Sequence, residues 1–239
     1  MLKKDWESLN SALTSSIGPL QLGTWSVAAR NLDDSAREEL SETAKTALVA
    51  LRGQLNGAPN PRQNSREQQP PPAHTRRMRE RLAGDLCLLD LWRALSKDAP
   101  ELSISELQLS LTHSKDLAVA LGRVARDGQR EEGIGIDLEL RNRKLIPNLL
   151  ERITEHEERR FGLHALQIWT IKEACFKANR FNSGSAVTEH RIRDFNPGTN
   201  SGKAVIGKLH FDFALTIWND WYLTVARMNA PKHGLFLAP

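Results

Sequence analysis

The stretch GIGIDLEL, residues 133 to 140, constrains this chain more than any other. Glycine and isoleucine alternate over its first four residues, and a period of two is the mark of a strand. Glycines placed this way leave room for a neighbouring backbone or a ligand to come close. The strand then presents Asp137 and Glu139 one residue apart. Side chains at i and i+2 leave from one face, about 6 to 7 Å apart, so the two carboxylates point together. Such a pair repels unless it is solvated or a cation sits between its members. A strand ending in water meets the first condition. A hard ion such as Mg2+, which takes one or two protein carboxylates and fills its shell with water and substrate phosphate, meets the second.

At 239 residues the chain can bury a sizeable core, either as one large domain or as two intimate halves. No apolar run reaches the ~20 residues that span a bilayer, and no signal-type apolar block follows MLKKDWESLN, so a cytoplasmic protein with no membrane partner is expected. Cys87 and Cys175 each lie in an apolar periodic segment and read as small hydrophobes rather than a disulfide framework. The net charge of +4 points mildly toward an acidic partner. Its densest source is HTRRMRERLAG, with Arg76, Arg77, Arg79 and Arg81, which is either a solvated helix face or a phosphate-binding cluster. No nucleic-acid partner is expected, because no aromatics are interleaved for base stacking and no recognition motif is present.

Along the chain, TWSVAAR reads as a strand and LDDSAREELSETAKTALVALRGQL as a helix that Asp33 or Asp34 could cap. Residues 53 to 73 are polar and proline-rich, which predicts a mobile loop. TRRMRERLAGDLCLLDLWRAL is apolar at helical spacing, and its arginines crowd the first turns, where the helix dipole favours anions. LQLSL and DLAVALGRV, joined by THSKD, read as a hairpin. After GIGIDLEL the segment IPNLLERITEHEERRF reads as helix, with a restart at Thr154 from the capping-box spacing of Thr154 and Glu157. LQIWTIKEACFKANRF is the clearest helix; HRIRDF, GKLHFDFALTIW and WYLTVARM supply the closing strands. The order strand, helix, strands recurs, predicting an α+β fold of two similar halves, residues 1–129 and 130–239, with the boundary near Asp127 to Glu132.

In that clearest helix Ile168, Ile171, Cys175 and Ala178 form a core stripe. Trp169, Glu173, Phe176, Lys177 and Arg180 fall opposite, and Lys172 lies at the border. Glu173 and Lys177 have the i, i+4 spacing of an ordinary exposed ion pair. Large apolar groups beside them are out of place on a purely solvated face, and a third carboxylate with two lysines suits a site for metal and phosphate.

GIGIDLE followed some thirty residues on by WTIKEACFK resembles the paired signature of the 4'-phosphopantetheinyl transferases. That signature is a hydrophobic-Gly-hydrophobic-Asp-hydrophobic-Glu strand and a Trp-x-x-Lys-Glu-x-x-x-Lys helix. SLTHSKDLAVA before them is similar to the family's Ser-His-Ser segment. The likeness covers residues 76 to 180, extends to WYLTVARM, and matches in length the longer, monomeric, pseudo-twofold type. It implies transfer of the phosphopantetheine arm of coenzyme A to a serine of an acyl or peptidyl carrier protein, with release of 3',5'-ADP. It also implies Mg2+ at Asp137, Glu139 and Glu173, pyrophosphate contacts from Lys172 and Lys177, and Glu173 as acceptor of the serine proton. His113 and Ser114 would contact coenzyme A, and Arg76, Arg77 or Arg81 its 3'-phosphate.

The chain departs from the family pattern in three places. It reads DAPELSISELQLS where the family has a Gly-Lys-Pro segment, delays the glycine after Lys177 to Gly184, and inserts the proline-rich stretch. Two other readings follow from the same residues: a metal-dependent phosphoesterase, and a degenerate module that binds coenzyme A or a synthase without catalysis. His156 and His164 lack further ligands for zinc, and Cys175 lacks a base partner for nucleophilic work.

Overall fold

The computed structural model describes residues 9, 11–14, 25–31, 42–55, 71–98, 100–115, 117–125, 132–144, 146, 148–182 and 184–229. Its first half contains β1 (Trp25–Asn31), α1 (Glu42–Leu55), α2 (Pro71–Asp98), β2 (Leu107–Ser114) and β3 (Leu117–Val124). The second contains β4 (Gly133–Leu140), α3 (Leu149–Ile153), α4 (Ala165–Ala178), β5 (Arg191–Asn196), β6 (Ser201–Ile206), β7 (Leu209–Trp218) and β8 (Trp221–Met228). The fold is α+β with two antiparallel sheets, ordered β1-β3-β2 and β4-β8-β7-β6-β5.

The wiring of the two sheets is the same. In each, a first strand leads to a long helix and then to a hairpin whose second strand inserts between the first strand and its own partner, giving β1-β3-β2 in one and β4-β8-β7 in the other. The hairpin β5–β6, between α4 and β7, is an addition of the second half.

Alternation along the strands sorts side chains into three cores. Val119 and Leu121 of β3 meet Ile134, Ile136 and Leu138 of β4 and Leu223 and Val225 of β8 between the sheets. Ala118 and Ala120 face Leu88 and Leu91 of α2 and Leu48 and Leu51 of α1 on one outer side. Ile168, Ile171, Cys175 and Ala178 of α4 pack with Ala226 and Met228 of β8 on the other. The core stripe expected for α4 is buried as its spacing requires. Burial raises the thiol pKa of both Cys87 and Cys175, and each is a small core side chain.

The glycines of β4 face α4. A Cβ on Gly133 would stand 1.9 Å from the carbonyl oxygen of Ala178, and one on Gly135 2.0 Å from that of Ala174. The helix backbone therefore lies directly on the strand, which only a residue without a side chain permits. The next residues on that face are Asp137 and Glu139.

Several expectations are corrected. Residues 53–55 complete α1 and residues 71–73 open α2, so both ends of the expected loop are helical, with Pro71 and Pro72 in a first turn that tolerates them. Residues 56–70, the helix start at 32–41 and the boundary residues 127–131 lie outside the described residues. The segment expected as helix over 146–161, with a restart at Thr154, is α3 followed by a 3-10 helix, His156–Phe161, whose capping box is Glu155 with Glu158 rather than Thr154 with Glu157. Strand β6 went unread because SGKAVI opens with residues of poor strand propensity.

Candidate active site

The two halves meet where β2 and β4 run side by side, and side chains rather than a backbone ladder join them. Ile136 N donates to Ser110 Oγ at 3.0 Å, Thr112 Oγ1 donates to Asp137 Oδ1 at 3.1 Å, and Ser114 Oγ donates to Glu139 Oε2 at 3.4 Å. Three hydroxyls at i, i+2 and i+4 of one strand thus track the other, and the last two reach its carboxylates.

Asp137 is buried, 5% exposed. Its Oδ1 also accepts from Lys177 Nζ at 2.7 Å, while its Oδ2 is buried with no hydrogen-bond partner among the described residues. A buried carboxylate oxygen left unsatisfied is costly. Glu139, 6% exposed, directs Oε1 to Arg143. Glu173, on α4, has its carboxyl pushed up to about 7, first by burial, then by the Asp137 carboxylate and more weakly by Glu139; Lys177 and Arg143 pull the other way. The site holds more negative charge than its cations balance.

That surplus is the test for a divalent cation. Among the described residues no three His, Cys, Asp or Glu side chains converge into a cage for an ion, and Glu139 already has Arg143 and Ser114. Asp137 Oδ2 and Glu173 remain as oxygen donors. Two carboxylates completed by water and phosphate are what Mg2+ accepts, so the residues present fit it.

Beside the carboxylates lies a groove of about 450 Å3, lined among others by Glu80, His113, Ser114, Lys115, Glu139 and Arg143. His113 is on the end of β2, paired with Ala118, and not in the hairpin connection; its Nε2 stands 3.6 Å from Glu80 Oε2 of α2. Arg81, next to Glu80, is exposed. Arg76 and Arg77 lie on the first turns of α2, and their side chains are outside the described residues.

The residue match 133–226 to the model of the 4'-phosphopantetheinyl transferase superfamily runs from the first residue of β4 into β8. Residues 133–226 thus match a domain of that superfamily. It is the half holding Asp137, Glu139, Glu173 and Lys177, and a fold of two antiparallel sheets with flanking helices accords with the superfamily. No curated protein matches the chain closely enough to stand as a relative. Among the described residues no helix is long and apolar enough to cross a membrane.

The structure brings Asp137, Glu139, Glu173 and Lys177 of the matched stretch together, with His113 and Ser114 at the adjoining groove. It does not bring Lys172 there: the ammonium is fully buried, 2.9 Å from Glu158 Oε2. Lys172 follows the helix into the core because it is next to Ile171 and one turn from Ile168. Sequence reasoning also missed Thr112, Glu80, Lys115 and Arg143. The i, i+4 spacing of Glu139 and Arg143 and the alternation of Ser110, Thr112 and Ser114 were the available signals for two of them.

Proposed function

We propose that this protein transfers the 4'-phosphopantetheine arm of coenzyme A to a serine of an acyl or peptidyl carrier protein, with Mg2+ held by Asp137 and Glu173. The observation that carries the reading is the orphaned Asp137 Oδ2 beside a carboxyl raised to about 7, within the transferase domain. Coenzyme A would lie in the groove where the end of β2, the end of β4 and α2 meet, between halves 1–129 and 130–239. His113 and Ser114 line it, and Arg81, exposed on α2 next to groove-lining Glu80, would serve the 3'-phosphate together with Arg76 and Arg77 of the same helix. Glu139 holds Arg143 and Ser114 and shapes the groove wall.

In the reaction, the serine oxygen forms a bond to the phosphorus bearing the pantetheine arm. The bond from that phosphorus to the bridging pyrophosphate oxygen breaks, and 3',5'-ADP leaves with the electron pair. Glu173 accepts the hydroxyl proton, directly or through a water. Lys177, aimed at the same carboxylate oxygen as Thr112, offers positive charge to the pyrophosphate. Mg2+ would supply further charge neutralisation at the pyrophosphate. A mild net positive charge is compatible with an acidic carrier protein.

The test is intact mass of an apo carrier protein incubated with the purified chain, coenzyme A and Mg2+. A gain of one phosphopantetheine arm, with 3',5'-ADP released, is expected. Hydrolysis of coenzyme A with no carrier modified would replace this reading with a phosphoesterase.

A further inference from the structure

We infer that Lys172 is a positioning residue: through a buried ion pair with Glu158 it sets where α4 holds Glu173 and Lys177 over β4. The inference rests on the reading of Asp137 and Glu173 as the cation site.

Both charges are removed from water, with side-chain exposures of 1% each. Each lies where four segments converge. Glu158 Oε2 accepts from Lys172 Nζ at 2.9 Å and from Glu155 N at 2.8 Å, and Glu158 Oε1 accepts from Ile192 N at 2.6 Å. Lys172 Nζ also donates to Thr188 O at 3.3 Å. The pair thus ties α4 to the 3-10 helix His156–Phe161, to the turn Val187–Glu189 and to the first residues of β5. The last of these is the first strand of the second half's added hairpin.

A buried ion pair contributes little net stability against apolar replacement, yet breaking it leaves an uncompensated charge in the core. Lys172 therefore cannot turn out to meet a phosphate without stranding Glu158. What the pair does provide is a fixed rotation of the helix. Consecutive helical residues are about 100° apart around the axis, so locking Lys172 inward directs Glu173 toward Asp137, and Lys177 follows one turn on. Lysine at this position then serves the site from behind the helix.

The experiment compares Lys172→Met, Glu158→Gln and the double variant with the wild-type chain, each shown folded by circular dichroism. Two readouts are taken: Mn2+ affinity in the presence of coenzyme A, by electron paramagnetic resonance, and kcat separately from KM for coenzyme A. Each single variant should weaken Mn2+ binding and lower kcat by about tenfold or more, with KM for coenzyme A within about twofold. The double variant should lose no more than either single, since both act through one contact. A raised KM for coenzyme A in Lys172→Met but not in Glu158→Gln would make Lys172 a phosphate ligand and overturn the inference. Unchanged Mn2+ affinity and kcat in the folded variants would overturn it too. Should Lys172→Met fail to fold, Glu158→Gln preserves the lysine and tests the same contact by the same two readouts. Wild-type protein that binds Mn2+ but modifies no carrier counts against the transferase reading alone, while the Mn2+ arm still decides the role of Lys172.

Discussion

The two halves share their wiring and differ in how the first strand meets the long helix. In the first half Arg30 of β1 pairs with Asp90 of α2 at 2.6 Å, both partly exposed. In the second half Asp137 of β4 pairs with Lys177 of α4 at 2.7 Å, so the charges are exchanged between strand and helix. The first contact is an ordinary ion pair. The second has Glu139 and Glu173 added around it and a carboxylate oxygen with nothing to accept from among the described residues. The helix also sits closer on its strand. Ala28 of β1 carries its side chain into the helix core, whereas β4 has Gly133 and Gly135 under the backbone of α4. In one strand–helix contact a single carboxylate, Asp90, meets two cations, Arg30 and Arg93; its counterpart is pressed tight and left with surplus negative charge. The shared wiring supplies the scaffold, and a few residues of the second half make the site.

Removing the central carboxylate should break the asymmetry most completely. Asp137→Asn keeps the side-chain volume and the contact to Thr112, yet removes the charge that would hold a cation. Transfer to an apo carrier is expected to fall about 100- to 1,000-fold, read by intact mass over time. The mirror change in the other half, Asp90→Asn, breaks partly exposed ion pairs to Arg30 and Arg93, each worth about 1 kcal/mol or less, and kcat should stay within about twofold of wild type. Equal losses from the two variants would mean that the contacts are not functionally distinct.

Gly135→Ala probes the closeness of the helix. The added Cβ would meet a backbone carbonyl at 2.0 Å, which no side-chain rotation relieves. Overpacking of this kind costs roughly 1 to 3 kcal/mol, so thermal unfolding should shift down by several degrees, with Mn2+ affinity falling alongside as α4 is lifted from Asp137. A thermal midpoint unchanged from wild type would show that the strand–helix spacing is not under the tension the glycines imply.

Much of this was legible in the residues. Alternation in GIGIDLEL gave β4 and the shared face of Asp137 and Glu139, and the apolar stripe of α4 placed Glu173 and Lys177 on the opposite side from Ile171. Periodicity fixes which face a residue occupies but not what lies opposite it. Lys172 illustrates the limit: at the border of the stripe it could turn either way, and only Glu158, fourteen positions earlier, draws it inward. Thr112 was hidden for a related reason. The alternation of Ser110, Thr112 and Ser114 puts the hydroxyls on one face, but their role depends on β2 lying beside β4, a partner that spacing does not name. The break at Asn148, whose φ of 62° is left-handed, and the 3-10 turn after it likewise follow from tertiary packing of 149–161 and not from helix propensity.

The smallest effect concerns the charge balance itself. In the cation-free protein Glu173 titrates near 7, above the ordinary carboxylate value of 4.5. A raised folded-state pKa means the folded protein binds the proton more tightly than the unfolded chain. Its favourable contribution is therefore complete below about 4.5 and is lost as pH rises through about 7. Relative to Glu173→Gln, which is neutral throughout, the wild-type chain should be less stable at pH 8 by roughly 1 to 2 kcal/mol, after allowance for the partial exposure of the side chain. The gap should close at pH 5. Adding Mg2+ at pH 8 should close it as well, because the cation supplies the positive charge that protonation otherwise stands in for. The first half offers no such lever: the one carboxylate of its strand–helix contact already has Arg30 and Arg93, so Asp90→Asn should show neither a Mg2+-sensitive nor a pH-sensitive gap between pH 5 and 8. Urea unfolding of the three proteins at the two pH values, with and without Mg2+, measures this, and a wild-type to Glu173→Gln difference that is the same at both pH values would rule out the surplus charge as the distinction between the halves.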